Sequence, residues 1–329
     1  MKEILNHLFE YKTLSKDISK EVLMNLAQGL YNNSQVASFM TVFLMRSVTV
    51  EELSGFREAM MELCMPLDVS AYNTIDVCGT GGDAKDSFNI STIASFIVAG
   101  AGQMVVKHGN YGVSSVSGSS NVLQHFGYQF TNDKDFLIRK LETCNICFLH
   151  APLFHPAMKN VAPVRKELGV KTFFNMLGPM VNPANPNSQF VGVFSLELAR
   201  LYGYLYQGLH KNYSIVHSLD GYDEISLTGD FKVIDNQGEK IFKPQDLLAG
   251  THLPQALYGG ETVAAAAQIV EDILSGKGTK AQNEVVVANA IFGLKTAQPH
   301  LSIEQAKEQA EDSLFGGKAK RVFLKLVEN

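Results

Sequence analysis

The run Thr74-Ile75-Asp76-Val77-Cys78 leads directly into Gly79-Thr80-Gly81-Gly82-Asp83. A short apolar run closed by glycines is expected to be a buried strand that enters a tight turn. From there apolar runs alternate with stretches of helical spacing. Strands are expected at 104–107, 146–149, 190–194 and 213–218, a helix at 91–101, and a long Gly/Ser loop at 108–119 followed by a short helix reaching Gly127. This alternation predicts a mainly parallel sheet covered by helices on both faces. Residues 230–242, with Asn236-Gln237-Gly238 at the middle, fit a hairpin, and the chain beyond Thr262 is helical in pattern.

Ahead of this alternation the pattern is helical throughout. Ile4, Leu5, Leu8 and Phe9 recur at helical spacing, as do Val36, Met40, Phe43 and Leu44. Thr49 with Glu52 three positions later predicts a capping box that opens a third helix toward Leu63. Residues 156–177 are also helical and Met-rich, and they are expected to pack back on these helices. The fold class is therefore α/β. A small, discontinuous N-terminal helical domain, 1–70 joined by part of 160–185, precedes a larger α/β domain, 71–329, with a mainly parallel central sheet flanked by helices.

Composition narrows the function. The chain has 329 residues, 46% of them hydrophobic, enough to bury a large core. Its 28 Lys+Arg against 33 Asp+Glu give a net charge of −5, which argues against a nucleic-acid partner. No apolar run is long enough for a transmembrane helix, and the first residues do not have a signal-peptide pattern. Four cysteines make no disulfide framework, so a cytoplasmic setting is expected.

Gly79 to Ala84 formally matches G-x-G-x-x-A, the start of a dinucleotide site. Two features oppose that reading. The next strand ends in Lys107-His108 where an acidic residue should bind ribose, and Asp83 puts a negative charge inside the turn. A different phosphate-rich ligand fits better. Asn89-Ile90-Ser91-Thr92 opens a helix, whose free N–H groups suit a phosphate. Lys107-His108-Gly109-Asn110-Tyr111-Gly112-Val113-Ser114-Ser115 follows the next strand and combines a cation, flexible backbone and hydroxyls. Parallel strands bring both loops to one C-terminal edge. Asp223-Glu224, after the strand at 213–218, would repel such a ligand unless a hard cation such as Mg²⁺ stood between them.

Together these motifs resemble the anthranilate phosphoribosyltransferase family, as do Gly118-Ser119, His155-Pro156-Ala157-Met158-Lys159, Val161 through Gly169 and Asn175-Met176-Leu177-Gly178-Pro179. The resemblance covers nearly the whole chain. It implies a nucleoside phosphorylase-like phosphoribosyltransferase fold, usually a homodimer, with 5-phosphoribosyl 1-pyrophosphate and anthranilate as substrates in tryptophan biosynthesis. By the same resemblance Gly79, Gly82, Asp83, Ser87, Asn89, Ile90, Ser91, Thr92, Lys107, His108, Gly109, Asn110, Tyr111, Gly112, Val113, Ser114, Ser115 and Ser119 contact the phosphoribosyl donor. Gly79, Asn110 and Arg165 contact anthranilate, and Ser91, Asp223 and Glu224 serve Mg²⁺. Lys107 and His108 are the candidate catalytic groups. Tyr111 stands where the family often has Arg, so a fixed positive charge is missing, and Lys85 is the nearby cation that could replace it. Val116 and Asn121 also differ from the commonest family residues.

Cys144-Asn145-Ile146-Cys147, with His150 and His155 following, has the outline of a zinc site. It falls on an expected buried strand, whose alternation sends neighbours to opposite faces, so these are read as core thiols. The nearest rival enzyme class is a pyrimidine nucleoside phosphorylase, against which the Gly79–Asp83 and Asp223-Glu224 motifs count. A non-catalytic nucleic-acid binder is opposed by the persisting motifs and the negative charge.

Overall fold

A computed structural model describes residues 1–112, 116–247 and 249–328. The chain begins with α1 (Lys2–Phe9), α2 (Lys16–Ala27), α3 (Asn33–Met45) and α4 (Val50–Leu63). β1 (Thr74–Gly79), α5 (Ile90–Gly100), β2 (Met104–Gly109), α6 (Ser119–His125), α7 (Lys134–Cys144) and β3 (Ile146–His150) follow. Three short helices come next, α8 (Ala151–Phe154), α9 (Ala162–Leu168) and α10 (Phe174–Leu177). The chain resumes with β4 (Ser188–Gly192), α11 (Leu196–Gln207), β5 (Asn212–Ser218), β6 (Phe231–Asp235) and β7 (Gly238–Phe242). It closes with α12 (Val263–Leu274), α13 (Lys280–Ala297), α14 (Ile303–Phe315) and α15 (Lys318–Val327).

Two compact units result. The first joins Met1–Leu67 to Ala151–Pro183, and the second joins Asp68–His150 to Ala184–Asn329. The returning segment starts earlier than the 160–185 stretch suggested by sequence, because Met65 N–H donates to Phe154 O at 2.8 Å and ties α8 to the end of α4. The first unit closes around aromatic rings. Phe56 stacks on Phe173 at 4.5 Å, and Phe39 and Phe43 meet Phe173 edge-on at 6.0 and 5.2 Å. Each such pair adds about 0.5–1.5 kcal/mol beyond area burial. Phe173 comes from the returning segment, so the unit needs both pieces of chain.

The expected capping box at Thr49 is present: Thr49 Oγ1 accepts from Glu52 N–H at 3.2 Å, and Glu52 returns to Thr49 N–H at 2.9 Å. It opens the fourth helix, not the third. The additional helix is α2, capped by Ser15 and buried through Val22, Leu23 and Leu26. Glu52 is also the buried partner of Arg46, at 2.6 Å.

In the second unit the described residues form a seven-stranded sheet in the order β3-β2-β1-β4-β5-β6-β7. β1 to β5 pair in parallel, and β6 and β7 add antiparallel, as the expected hairpin. The strand sequence jumps from one side of β1 to the other between β3 and β4. In open α/β sheets ligands bind at the carboxyl ends of strands beside such a reversal. α5 and α13 supply most of the apolar cover: Ile93, Phe96, Ile97, Val285, Val286, Ala290 and Ile291 are buried in one continuous core. Cys144 ends α7 and Cys147 lies in β3, both buried as free thiols. Burial pushes the Cys147 thiol up to about 12, so it is inert as a thiolate near neutral pH. No helix among the described residues is long and apolar enough to cross a membrane.

Candidate active site

The loop after β1 turns sharply, with Gly81 at φ +69° and Gly82 at φ +83°. Left-handed conformations of this kind favour glycine. The turn closes on Asp223: its Oδ2 accepts from Gly81 N–H at 2.5 Å and from Thr80 Oγ1 at 3.4 Å. Asp223 N–H in turn donates to Asp83 Oδ2 at 3.4 Å. Two glycines make room for the approach. A Cβ on Gly79 would lie 2.7 Å from Asp223 Oδ2, and one on Gly192 would lie 1.6 Å from Asp223 O. Gly79 is among the residues expected at the site. Gly192, at the end of β4, is not, because the sequence carries no sign of which strand end faces Asp223.

Glu224 faces the first turn of α5. Its Oε1 accepts from Ser91 N–H at 2.8 Å. The helix start is expected to offer its N–H groups to a phosphate, but in this structure a carboxylate already takes one of them. Ile90 N–H donates to Phe88 O at 2.6 Å, while the side chains of Ile90 and Thr92 are buried. Asn89 is the N-cap residue of α5, but its side chain does not bond the helix; Nδ2 donates to Ser117 O at 3.0 Å, tying the helix start to the loop ahead of α6. Ser87 forms an isolated bridge with Tyr258, and Phe88 N–H donates to Leu257 O.

The pair itself is braced from behind. Ser218 Oγ donates to Glu224 O at 2.7 Å. Asn289 in α13 accepts from Ile225 N–H at 3.1 Å and donates to Ile225 O at 2.8 Å. Sequence reasoning does not find Asn289, although an Asn inside the apolar run Val285–Leu294 signals a buried amide that must find partners. Asp223 and Glu224 are both buried. Burial and the adjacent carboxylates push Asp223 well above the usual carboxylate range. Burial raises Glu224 as well, against the pull of its Ser91 hydrogen bonds and the Lys107 charge.

Lys107 and His108 end β2. The Lys107 ammonium is buried and donates to Val77 O at 2.6 Å. Burial pulls it below its ordinary value, while the charges of Asp76 and Glu224 oppose that shift. His108 is buried, and its N–H donates to Asp76 Oδ1 at 3.3 Å. After Gly109, Asn110 Oδ1 accepts from Tyr111 N–H at 2.8 Å, and Asn110 O accepts from Ser120 N–H at 3.2 Å. Asn121 Oδ1 accepts from both Gly112 and Gly118, at 2.9 and 3.0 Å. It thus clasps the two arms of the loop beside Ser119, a task that its departure from the family pattern does not suggest. Val113, Ser114 and Ser115 lie outside the described residues.

Arg165 belongs to the helical unit, on α9. Its guanidinium lies 5.2 Å from the centre of the Phe174 ring and donates to Asn175 Oδ1 at 3.4 Å. Burial lowers it from its ordinary value.

Comparison with known proteins gives this geometry a family. The glycosyl transferase family helical bundle domain matches residues 2–64, and the glycosyl transferase family a/b domain matches residues 71–320. The anthranilate phosphoribosyltransferase of Flavobacterium psychrophilum is 59% identical over 100% of this chain and 99% of its own. The Christiangramia forsetii enzyme of the same name is 57% identical, over 99% and 98%.

The chain belongs to the anthranilate phosphoribosyltransferase family.

Solved structures of the family extend the likeness to the fold. The Thermus thermophilus enzyme superimposes with a TM-score of 0.92 at 30% identity, covering 98% of each chain. The Saccharomyces cerevisiae enzyme, solved with PRPP and Mg, reaches 0.91 at 25% identity, covering 98% of this chain and 96% of that one.

Where the anthranilate phosphoribosyltransferase family often carries Arg, Tyr111 packs edge-on against His150, with ring centres 4.9 Å apart. Phe130 stacks on the same imidazole at 4.3 Å, so an aromatic cluster takes the place of a charge. The Lys85 ammonium lies 4.9 Å from the centre of the Tyr222 ring, one residue from Asp223.

Gly192 provides the test of this construction. Gly192→Ala must displace the Asp223 main chain, a steric cost of about 1–3 kcal/mol. Thermal unfolding is expected several degrees lower, with loss of most turnover. A variant with unchanged melting and activity would contradict the packing.

Proposed function

We propose that the chain transfers the phosphoribosyl group of 5-phosphoribosyl 1-pyrophosphate to the amine of anthranilate. The products are N-(5-phosphoribosyl)anthranilate and pyrophosphate, in tryptophan biosynthesis. Family membership over the full chain supports the reading. One observation carries it into chemistry: Asp223 and Glu224 are buried side by side, and no Lys, Arg or His forms a salt bridge with either among the described residues.

This donor set fits Mg²⁺. It consists of oxygen atoms only, two of them carboxylate groups, with the Ser91 hydroxyl beside Glu224. Among the described residues no three His, Cys, Asp or Glu are grouped to hold a metal. Mg²⁺ commonly binds through one or two carboxylates and completes its shell with water and substrate phosphates. Bound there, it supplies positive charge to the diphosphate leaving group.

The chain's own residues do the rest. As the C1′–O bond breaks, positive character develops on the ribose and negative charge on the diphosphate. The glycine turn and the loop that begins after Lys107 frame the donor, and Lys107 adds a buried positive charge near the end of β2. The amine of anthranilate is an aryl amine, neutral near pH 7, so its lone pair is available without a base. Placement therefore dominates the attack, and the amine sheds its proton after the new C–N bond has formed. His108 is the candidate to take that proton. Arg165 holds the anthranilate carboxylate. Its guanidinium is kept in place by Phe174 and Asn175, and no carboxylate of the chain pairs with it among the described residues. A planar guanidinium suits a carboxylate bidentately.

The working form is a cytoplasmic homodimer in this reading. Phe9, Leu44 and Met45, on α1 and α3, remain exposed and offer apolar surface to a second copy. Sedimentation is expected to give twice the chain mass, and a monomer at micromolar concentration would remove this part.

The reaction is followed by the loss of anthranilate fluorescence on adding the phosphoribosyl donor and Mg²⁺. The variant Asp223→Asn/Glu224→Gln is expected to lose at least about 100-fold in turnover, as for loss of a charge-stabilising element, and to need more Mg²⁺. An unchanged Mg²⁺ response would remove the metal assignment. Arg165→Ala is expected to raise KM for anthranilate by about tenfold, the scale of one charge-assisted hydrogen bond, with a smaller change for the donor. Equal effects on both substrates would count against its role.

A further inference from the structure

His150 stands at the end of β3, paired across the ladder with Gly109 of β2, where the donor loop begins. Its surroundings are aromatic. The Phe130 ring stacks on the imidazole at 4.3 Å with 18° between the planes, and Tyr111 meets it edge-on at 4.9 Å. Tyr128 and Phe148 extend the cluster, each 5.5 Å from Phe130. The donor loop is tied to the same point. Ser120 Oγ lies 2.9 Å from His150 Nδ1, while Ser120 N–H donates to Asn110 O at 3.2 Å. Gly109 leaves room for this approach, since a Cβ there would lie 2.4 Å from Ser119 Oγ.

An imidazole is not needed to fill such a space. The residue is 5% exposed, and a phenylalanine would take the same stacked place without burying polar atoms. Only one ring nitrogen is served by the chain. Ser120 holds Nδ1, and no described residue bonds to Nε2. Nor does a carboxylate pair with the ring among the described residues. A buried polar atom without a protein partner calls for a ligand or water to satisfy it.

The neighbouring groups leave a charge on His150 unopposed. Tyr111 faces it from the donor loop, and Tyr128 stands behind Phe130. On α6 the ionisable side chain is His125, packed on Phe126. On β2, Lys107 donates to Val77 O, and His108 N–H donates to Asp76 Oδ1. On β3 itself Cys147 is a buried thiol. Burial lowers His150 from its ordinary value, and none of these groups adds to the shift. An anion brought to the ring would reverse it, and the Phe130 face attracts a cation.

The aromatic cluster at Tyr111 thus contains one ring that can acquire a charge. We propose that His150 is a binding residue for the phosphoribosyl donor and supplies a phosphate group of that substrate with the positive charge that Tyr111 cannot carry. Nε2 is the donating atom, while Ser120 and Phe130 fix the orientation of the ring. The proposal rests on the phosphoribosyl-transfer reading of this site.

The test uses the full chain and the fluorescence assay, with each substrate varied separately at about pH 6 and about pH 8.5, on either side of the histidine range. Burial holds His150 low in the empty site and a bound phosphate raises it. Its charge therefore helps the donor at acid pH and is lost as the pH rises. His150→Phe keeps the stacked ring and removes the charge. It is expected to raise KM for 5-phosphoribosyl 1-pyrophosphate about tenfold at the acid pH, the scale of a charge-assisted hydrogen bond, and by less than about threefold at the alkaline pH. KM for anthranilate is expected to stay within about twofold at both. His150→Phe/Tyr111→Arg returns a fixed charge to the neighbouring position, and its donor KM is expected within about threefold of the parent at the acid pH. Ribose 5-phosphate and pyrophosphate, used as inhibitors, distinguish the two ends of the donor: the one that inhibits His150→Phe less well than the parent marks the phosphate that His150 serves.

A purely structural histidine would lower the melting temperature without this dependence on pH, and arginine at the neighbouring position would not rescue its loss. A donor KM that changes equally at both pH values or not at all, equal effects on the two substrates, a double variant as impaired as the single, or unchanged inhibition by both phosphate compounds would each overturn the proposal. If His150→Phe fails to fold, His150→Gln decides, because it keeps a hydrogen-bond donor without a charge. The same rise at acid pH supports the role, and its absence, or a second failure to fold, overturns it. Absence of turnover in the parent chain overturns the functional reading and the proposal together. Turnover in the parent with the wrong variant pattern removes His150 alone.

Discussion

Two neighbouring carboxylates buried at one strand end are the constraint around which the second unit is arranged. Asp223 and Glu224 repel each other in a region where water cannot screen them, and each is raised by burial. Such a pair persists only if surrounding donors hold it. The donors come from separate parts of the chain. Gly81 and Thr80 serve Asp223, while Ser91 serves Glu224. Ser218 and Asn289 hold the main chain behind them. The glycine turn, the start of α5, the end of β5 and the middle of α13 are thereby fixed to one point.

The same arrangement accounts for the uneven use of positive charge. The α5 N-terminus and Lys107 both suit an anion, yet each also serves an anion of the protein itself: Ser91 N–H bonds to Glu224, and the Lys107 ammonium lies under the influence of Asp76 and Glu224. The site is electrostatically prepared by fixed charges of both signs, with carboxylates in excess. In the proposed reaction a substrate diphosphate would meet that excess through a divalent cation and not through a cluster of surface lysines. The overall charge of −5 is compatible with binding two anionic substrates, because the field that matters is local.

Much of the fold is legible in the sequence because its signals are local. The alternation after Thr74 marks the strands, the Asn236-Gln237-Gly238 turn marks the β6–β7 hairpin, and Thr49 with Glu52 marks the start of α4. α2 escapes such a reading, although Ser15 caps it and Val22, Leu23 and Leu26 form its buried face. Among site residues, Gly79, Asp83, Ser91, Asp223 and Glu224 come together as their motifs suggest. Gly192, Asn289 and Gln189 are not visible, since each acts on a residue far away in sequence. Asn289 reaches back 64 positions to Ile225, and Gln189 reaches back 113 positions to Asp76, through contacts that no short motif encodes. Asn121 is visible only as a departure from the family pattern, and its clasp on Gly112 and Gly118 emerges from the loop geometry.

The element types, the presence of a helical part beside a parallel α/β part, and the family whose motifs the chain carries are all written in the amino-acid order. They follow from periodicity, turn chemistry and short runs of residues, which act over a few positions. Other outcomes belong to the folded chain alone: Gln189 reaches Asp76, Lys107 turns inward to Val77, and a carboxylate occupies the start of α5. These depend on which strands become neighbours and on how buried charges find partners. They are settled by packing and solvation across the sheet, which no local stretch of sequence contains.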